Sequence, residues 1–273
     1  MPTRKVYHER MNEHILVIDM GLFIRESLSE SGNSITLNAD DTAAMISATA
    51  GNNTDTSIIL AFDEPTSRTI PFNPAISRSD LLREYLHPGY NPGNPNIRIP
   101  VQEWKQELAS LGYVLSYPGA EARDLTAALA DCRVEEDRSL PGMTIMSDDP
   151  SLLQLVDDGT GMAARMVASG SPGPVLDEQG VATRIGVEPG NVRMMLTLAG
   201  SSIDLYQGVE TGREAAEEIR NAKNSGALVA NHSQSRDIIE RNWRLSGIGR
   251  DYLDNHAMLR ARTVMAWAIG PEF

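Results

Sequence analysis

The stretch Gly119-Ala120-Glu121-Ala122-Arg123-Asp124 stands at the start of an Ala-rich run that extends to Ala130. This pattern predicts a turn that opens a helix, and Glu121 and Asp124, three residues apart, would share one helical face. Two carboxylates in a first helical turn interact favourably with the helix dipole, and they are also the ligand type that divalent metals prefer. The segment alone favours the purely structural role, so the positions of the other acids decide between the two.

Four further acids each follow an apolar segment. Asp19, Asp63 and Asp149 come at the ends of strand-like runs (14–19, 56–63 and 142–149), and Asp204 follows a helix-like run. Continuous apolar runs are typical of buried parallel strands. In an open α/β sheet the carboxyl ends of such strands form the edge where ligands bind. Each acid alone also fits a turn or cap role, but together they predict one acidic cluster.

The order of elements predicts an α/β fold, with a mainly parallel central sheet and helices on both faces. Besides the strands above, a strand is expected over 112–118 and a hairpin-like pair over 164–168 and 174–177. Helices are expected over 38–50 and 100–111, from 151 onward, and over 188–199. After Gly200 the pattern is helical throughout, over 212–223, 233–244 and 251–268. The segment 64–100 is rich in Pro, Asn, Ser and Gly, which predicts a long functional or mobile loop.

Composition limits the classes of protein to consider. The net charge is −13 and there are only three lysines, which argues against strong nonspecific DNA affinity but permits a segregated basic surface. The single cysteine, Cys132, excludes an internal disulfide and a multi-cysteine zinc site. No apolar run is long enough to cross a bilayer, and the first residues lack the apolar core of a signal peptide. We therefore expect a cytoplasmic protein without a membrane partner.

The acids and their surroundings resemble those of the bacterial and phage 5′-nuclease family, from about residue 15 to 216. This family comprises flap endonucleases, phage 5′–3′ exonucleases and the nuclease domain of bacterial DNA polymerase one. Its Gly-x-Glu-Ala-Asp-Asp signature is matched over 119–124, except that Arg123 replaces the first Asp. A Ser/Thr-x-Asp-x-Asp signature is matched at Asp149, with Ser151 in place of the second Asp. A Gly-Asp-x-x-Asp signature followed by Gly-Val is matched at Gly200, Asp204, Gly208 and Val209, with Ser201 in place of an Asp.

The resemblance implies a PIN-like nuclease core over residues 1–199 with an arch-like loop at about 64–100. It also implies a C-terminal helical region over 200–273 that resembles a helix-turn-helix DNA-binding region. The implied activity is phosphodiester hydrolysis of branched or 5′-ended duplex DNA, dependent on Mg²⁺ or Mn²⁺, with replication proteins as further partners. The implied catalytic residues are Asp19, Asp63, Glu121, Asp124, Asp149 and Asp204, of which all but Asp19 are also implied metal ligands. The implied DNA-binding residues are Arg83, Tyr90, Gly208, Gly212 and Arg213.

The departures from the family pattern leave two functional hypotheses. Ser151 and Ser201 weaken a second metal position, and Arg123 either turns inward, where an ion is expected, or outward to solvent. Asn91 and Glu214 stand where lysines are expected to contact phosphates. One hypothesis is an active 5′-nuclease with one well-supplied metal position. The other is a nuclease-like scaffold that has lost catalysis and binds a replication protein or a DNA junction.

Overall fold

The computed structural model describes residues 14–24, 27, 37–51, 55–64, 95–135, 141–168, 171–203, 206–222, 225–249 and 252–269. The strands are β1 (His14–Asp19), β2 (Thr56–Ala61), β3 (Tyr113–Leu115), β4 (Gly142–Ser147), β5 (Met162–Ala168), β6 (Ser171–Leu176), β7 (Gly200–Ser201) and β8 (Tyr206–Gln207). The helices are α1 (Ala39–Ala50), α2 (Pro95–Leu108), α3 (Ala122–Glu135), α4 (Glu178–Ile185), α5 (Val192–Ala199), α6 (Gly212–Asn221), α7 (Ser225–Asn231), α8 (Arg236–Ser246) and α9 (Asn255–Ile269).

Six strands form one central sheet in the order β3-β2-β1-β4-β5-β6. The first five are parallel, and β6 pairs antiparallel with β5. The predicted mainly parallel sheet is therefore confirmed, as is the hairpin at its edge. β1 lies in the middle of the sheet, which explains why its residues 15–18 are all apolar and buried.

Alternate residues of β1 pack against helices on opposite faces of the sheet. Ile15 and Val17 belong to a core that includes residues of α3 and α9. Leu16 and Ile18 belong to a second core with Ile46 of α1 and Trp104 of α2. The period of two in a strand produces this division, and it confirms the prediction of helices on both faces. Burial of each such side chain contributes about 1.5–3 kcal/mol.

A third core joins the sheet to the C-terminal helices. It contains Leu153, residues of β5, α4 and α5, and also Ala215, Ile219 and Ile239 from α6 and α8. This core is continuous across position 199/200, where the sequence predicts a division into two functional parts. The division itself remains a prediction.

The structure corrects four details of the predicted secondary structure. α2 begins at Pro95, so the last residues assigned to the arch are helical, and residues 65–94 lie outside the described part. The helix expected from residue 151 is a 3₁₀ turn over Pro150–Leu155. The region after Gly200 is not helical throughout, because β7 and β8 form a small antiparallel pair. Two short helices, α4 and α7, were not predicted, since each spans only about two turns.

No helix in the described part of the chain is both long and apolar enough to span a bilayer.

Candidate active site

The acids at the ends of β1 and β4 meet at the carboxyl edge of the sheet. Asp19 Oδ2 accepts a hydrogen bond of 2.7 Å from Ser147 Oγ, and the same hydroxyl oxygen accepts one of 2.9 Å from the Asp149 backbone N–H. Asp19 Oδ1 also accepts from the Gly21 backbone N–H, which opens the following helical turn. One serine thus links two acids that lie 130 residues apart in the chain, as the parallel pairing of β1 with β4 allows.

Arg123 turns inward, which decides the alternative that the sequence left open. Its side chain is only 4% exposed, and its Nε donates to Glu121 Oε2 at 2.9 Å. Its Nη1 donates to Asp149 Oδ2 at 3.2 Å. The guanidinium therefore lies between two of the implied metal ligands and bonds both.

The remaining two acids join this edge through backbone N–H groups. Asp63 Oδ1 accepts a hydrogen bond of 2.6 Å from the N–H of Ala122, the first residue of α3. Asp124 is 2% exposed, and its Oδ1 accepts from the Gly249 N–H at 3.1 Å. Asp63 thereby fixes the N-terminus of α3 against β2, whereas Asp124 ties α3 to the segment that precedes α9. The structure brings together five of the six implied catalytic acids, and Asp204 lies outside the described residues.

The carboxylates at this edge are donors of the type that divalent cations bind. Two of these carboxylates, on Glu121 and Asp149, bond the same arginine, and carboxylate oxygens are the ligands that hard cations such as Mg²⁺ and Mn²⁺ prefer. Among the described residues of this edge, no three carboxylates have oxygens within 4.8 Å of one another. Ser151 is 1% exposed and donates its backbone N–H to Asp149 Oδ1 at 2.8 Å, and its Oγ has no hydrogen-bond partner in the described part of the chain. Such a buried oxygen can serve as a weak neutral ligand, but it cannot replace the charge of an aspartate. Glu121 and Asp149 are therefore donors for an ion only in competition with Arg123.

A groove with three arginines approaches this edge from the C-terminal helices. It encloses about 540 Å³ between α4, α5 and α6, and Pro150, next to Asp149, is among its lining residues. The exposed side chains of Arg184, Arg213 and Arg220 also line it. In a chain of net charge −13 this is a local concentration of positive charge. Of the three, the sequence indicates only Arg213. Arg184 lies on α4, a helix that the sequence pattern does not predict, and no motif surrounds Arg220.

The turn before α6 gives Gly208 and Glu214 structural roles but shows none for Gly212. A Cβ at Gly208 would overlap the Leu198 carbonyl and the Ala199 backbone, so glycine is required there by packing. A Cβ at Gly212 would meet only Met195 Cε at 3.5 Å, an ordinary contact.

Glu214, which stands near an expected lysine, forms a capping box with Thr211 at the start of α6. The hydrogen bonds from Thr211 lower the pKa of the Glu214 carboxyl. Arg83, Tyr90 and Asn91 lie outside the described residues.

Ser147 is the site residue that the sequence reasoning missed. It is 1% exposed and is the last residue of β4, two positions before Asp149. A polar residue at the end of a mainly apolar strand, two positions before an acid, was the available signal. Its role is to hold Asp19 and the Asp149 backbone in one arrangement.

Solved structures share this fold across nearly the whole chain. The 5′-exonuclease of T5 with bound zinc aligns with a TM-score of 0.66 at 12% identity, covering 93% of this chain and 100% of that one. The flap endonuclease of bacteriophage T5 in a complex with DNA and metal ions aligns with a TM-score of 0.62 at 13% identity, covering 92% and 97%. No protein-family model matches the chain, and no curated protein matches its sequence. At these identities the likeness establishes the PIN-like nuclease fold, and function must be argued from the site.

Proposed function

We propose that this chain is a divalent-metal-dependent 5′-nuclease, a flap endonuclease or 5′–3′ exonuclease, that acts on DNA with one metal position at the acidic edge. The observation that carries the proposal is the convergence of Asp19, Asp63, Glu121, Asp124 and Asp149 at that edge. The likeness to T5 nucleases that were solved with metal ions or DNA supports the same class of activity. Mg²⁺ or Mn²⁺ would stabilise the charge that develops on the phosphate oxygens during hydrolysis.

The residues of the edge divide this work between binding and positioning. In this proposal Asp149 and Glu121 hold the ion once Arg123 releases them, while Ser147 keeps Asp19 and Asp149 aligned. Asp63 orients α3 and hence Glu121 and Asp124. Removing one partner of a buried ion pair costs about 3–5 kcal/mol, so the ion must compensate for the lost bonds of Arg123. We therefore expect weak metal affinity, in the millimolar range.

DNA is the proposed substrate, and the groove with Arg184, Arg213 and Arg220 is its proposed path to the edge. Arginine side chains bind phosphate oxygens through paired N–H donors. The groove lies beside Pro150, so a backbone bound there would run towards Asp149. A segregated basic groove also reconciles DNA binding with the acidic total charge.

A second candidate function is a scaffold that binds a DNA junction or a replication protein without cleaving DNA. The ion pairs of Arg123 with Glu121 and Asp149 favour it, because an internal cation already compensates two carboxylates. A scaffold that binds a DNA junction would use the arginine groove as the nuclease does, but only the nuclease requires a metal ion at the edge.

A cleavage assay separates the two candidates. The substrate is a 5′-flap duplex with a label on the flap, incubated with the purified chain over a series of Mn²⁺ concentrations. The nuclease proposal expects cleavage that rises into the millimolar range and is lost in Asp149→Asn but kept in Glu217→Gln, an exposed control on α6. Absence of cleavage at every Mn²⁺ concentration, with an active control nuclease alongside, would refute it and leave the scaffold.

A binding assay in chelator tests the groove for either candidate. Arg184→Ala, Arg213→Ala and Arg220→Ala should each weaken binding of the same DNA and reduce the slope of log affinity against log salt by about 1. Arg236→Ala, which removes an exposed arginine paired with Glu240, serves as the control. Equal affinities in all four variants would exclude the groove as the DNA path.

A further inference from the structure

Three side chains with metal-binding atoms converge away from the acidic edge, beside α6. Glu210 lies in the turn before α6, Glu218 lies on α6, and His232 follows the end of α7. One ligand atom from each lies within 4.8 Å of the other two. His232 Nε2 is 2.8 Å from Glu218 Oε2, and its Nδ1 is 3.9 Å from Glu210 Oε1. The three side chains therefore form a compact group of one imidazole and two carboxylates.

The surrounding bonds hold this group in place. Asn231 Nδ2 donates to Glu218 Oε1 at 3.0 Å, which leaves Oε2 directed at the His232 ring. The backbone N–H groups of Val209 and Glu210 both donate to the Leu198 carbonyl, at 2.7 and 3.0 Å, and fix the turn that carries Glu210. The side chains of the group are only 14–27% exposed. Partial burial raises the pKa of the Glu218 carboxyl, but the hydrogen bonds from Asn231 and His232 together outweigh this effect. The pKa therefore lies below its ordinary value.

We propose that Glu210, Glu218 and His232 bind a divalent transition-metal ion of the Zn²⁺ kind, with water in the remaining position. Zn²⁺ accepts imidazole nitrogen together with carboxylate oxygen in four-coordinate sites, at about 2.0–2.2 Å from each ligand atom. Mg²⁺ requires near-octahedral oxygen coordination and is a poor fit to a site with a ring nitrogen. On binding, the ion would replace the proton of the hydrogen bond between Glu218 and His232.

This site would connect three segments of the C-terminal region. The ion would join the turn before α6 to α6 itself and to the connection between α7 and α8. It would also neutralise two carboxylates beside the turn that leads to Arg213. The site lies on other elements than the acidic edge and does not depend on the proposed nuclease activity.

Thermal unfolding of the chelator-treated full chain tests the site. At a Zn²⁺ concentration of about a hundred times the dissociation constant, the Tm should rise by about 5 °C, and Mg²⁺ at the same concentration should give no such shift. Glu218→Gln and His232→Gln should lose the shift. Glu217→Gln, one residue away and exposed, and Asp149→Asn at the acidic edge should keep it. A shift that survives in both site variants, or is absent in the native chain, would overturn the proposal.

X-ray absorption on the native chain with one equivalent of Zn²⁺ gives a test that needs no variant. The expected spectrum contains scattering from one imidazole together with oxygen ligands. A spectrum with oxygen ligands alone would place the ion elsewhere and overturn the proposal, even if the variants failed to fold. Loss of DNA cleavage in Asp149→Asn with the Zn²⁺ shift retained would separate this site from the nuclease proposal.

Discussion

At the scale of single residues, Arg123 decides how the acidic edge is balanced. The sequence showed only that an arginine replaces an expected aspartate, because the direction of a long side chain depends on its neighbours in space. The structure places its guanidinium between Glu121 and Asp149, which are two and 26 positions away from Arg123 in the chain. A buried arginine next to acids is stabilised by these bonds, whereas the same acids without it repel each other.

Arg123→Asp should change the dependence of stability on metal. In chelator the variant loses a buried cation and gains a carboxylate, so its free energy of unfolding should fall by about 3–5 kcal/mol. With Mn²⁺ it gains a ligand and loses a competitor, so its Tm should rise more than that of the native chain. Thermal melts with and without Mn²⁺ measure both effects, with Arg184→Asp as an exposed control of equal charge change. An equal Mn²⁺-induced shift in all three proteins would show that Arg123 does not compete with an ion.

His14 should make stability depend on pH. Burial, and secondarily the charge of Arg133, lower the pKa of His14 below its ordinary value of 6.5. The unfolded chain therefore binds a proton that the folded chain does not, and stability is lost as pH falls below about 6.5. His14→Gln should lose less Tm between pH 7.5 and pH 5.5 than the native chain, whereas His256→Gln, at an exposed position, should behave like the native chain. Identical losses in the two variants would contradict this role for His14.

At the scale of elements, Asp63 has a structural task that can be separated from metal binding. Its carboxylate accepts a hydrogen bond from the first N–H of α3, so Asp63→Ala should lower the free energy of unfolding by about 1 kcal/mol. Asp63→Asn keeps an acceptor oxygen and should be nearly as stable as the native chain in chelator, but it should gain less Tm from Mn²⁺. Denaturant unfolding and Mn²⁺ melts measure the two properties. If Asn and Ala were equally destabilising, the cap would not be the reason for the acid at this position.

The turn between β8 and α6 gives a second test at this scale. Gly208→Ala should strongly destabilise the chain, because its Cβ would overlap the backbone of Leu198 and Ala199. Gly212→Ala should be neutral or slightly stabilising, because its Cβ has room and alanine favours the helix. Urea unfolding of both variants measures the difference. A neutral Gly208→Ala would show that the turn rearranges and that this glycine serves another purpose.

For the whole molecule, the sequence predicts the sheet and the positions of its acids better than the bonds between them. The apolar runs that end in Asp19, Asp63 and Asp149 fix the parallel strands and their common edge, because burial on two faces leaves a continuous apolar signal. β7 and β8, with two residues each, give no such signal, and neither do the short helices α4 and α7. The links through Ser147 and Gly249 join residues 125 or more positions apart, so only the folded chain reveals them.

The central claim is that the assembled acidic edge holds a divalent ion in competition with Arg123. Anomalous diffraction from crystals soaked in Mn²⁺ tests it most directly, because the ion and the arginine are then seen together. The account predicts one Mn²⁺ peak at the carboxylates of Asp149 and its neighbours, with the Arg123 guanidinium moved off Asp149 Oδ2. A map without a peak at this edge, in which Arg123 still bonds Glu121 and Asp149, would contradict the account.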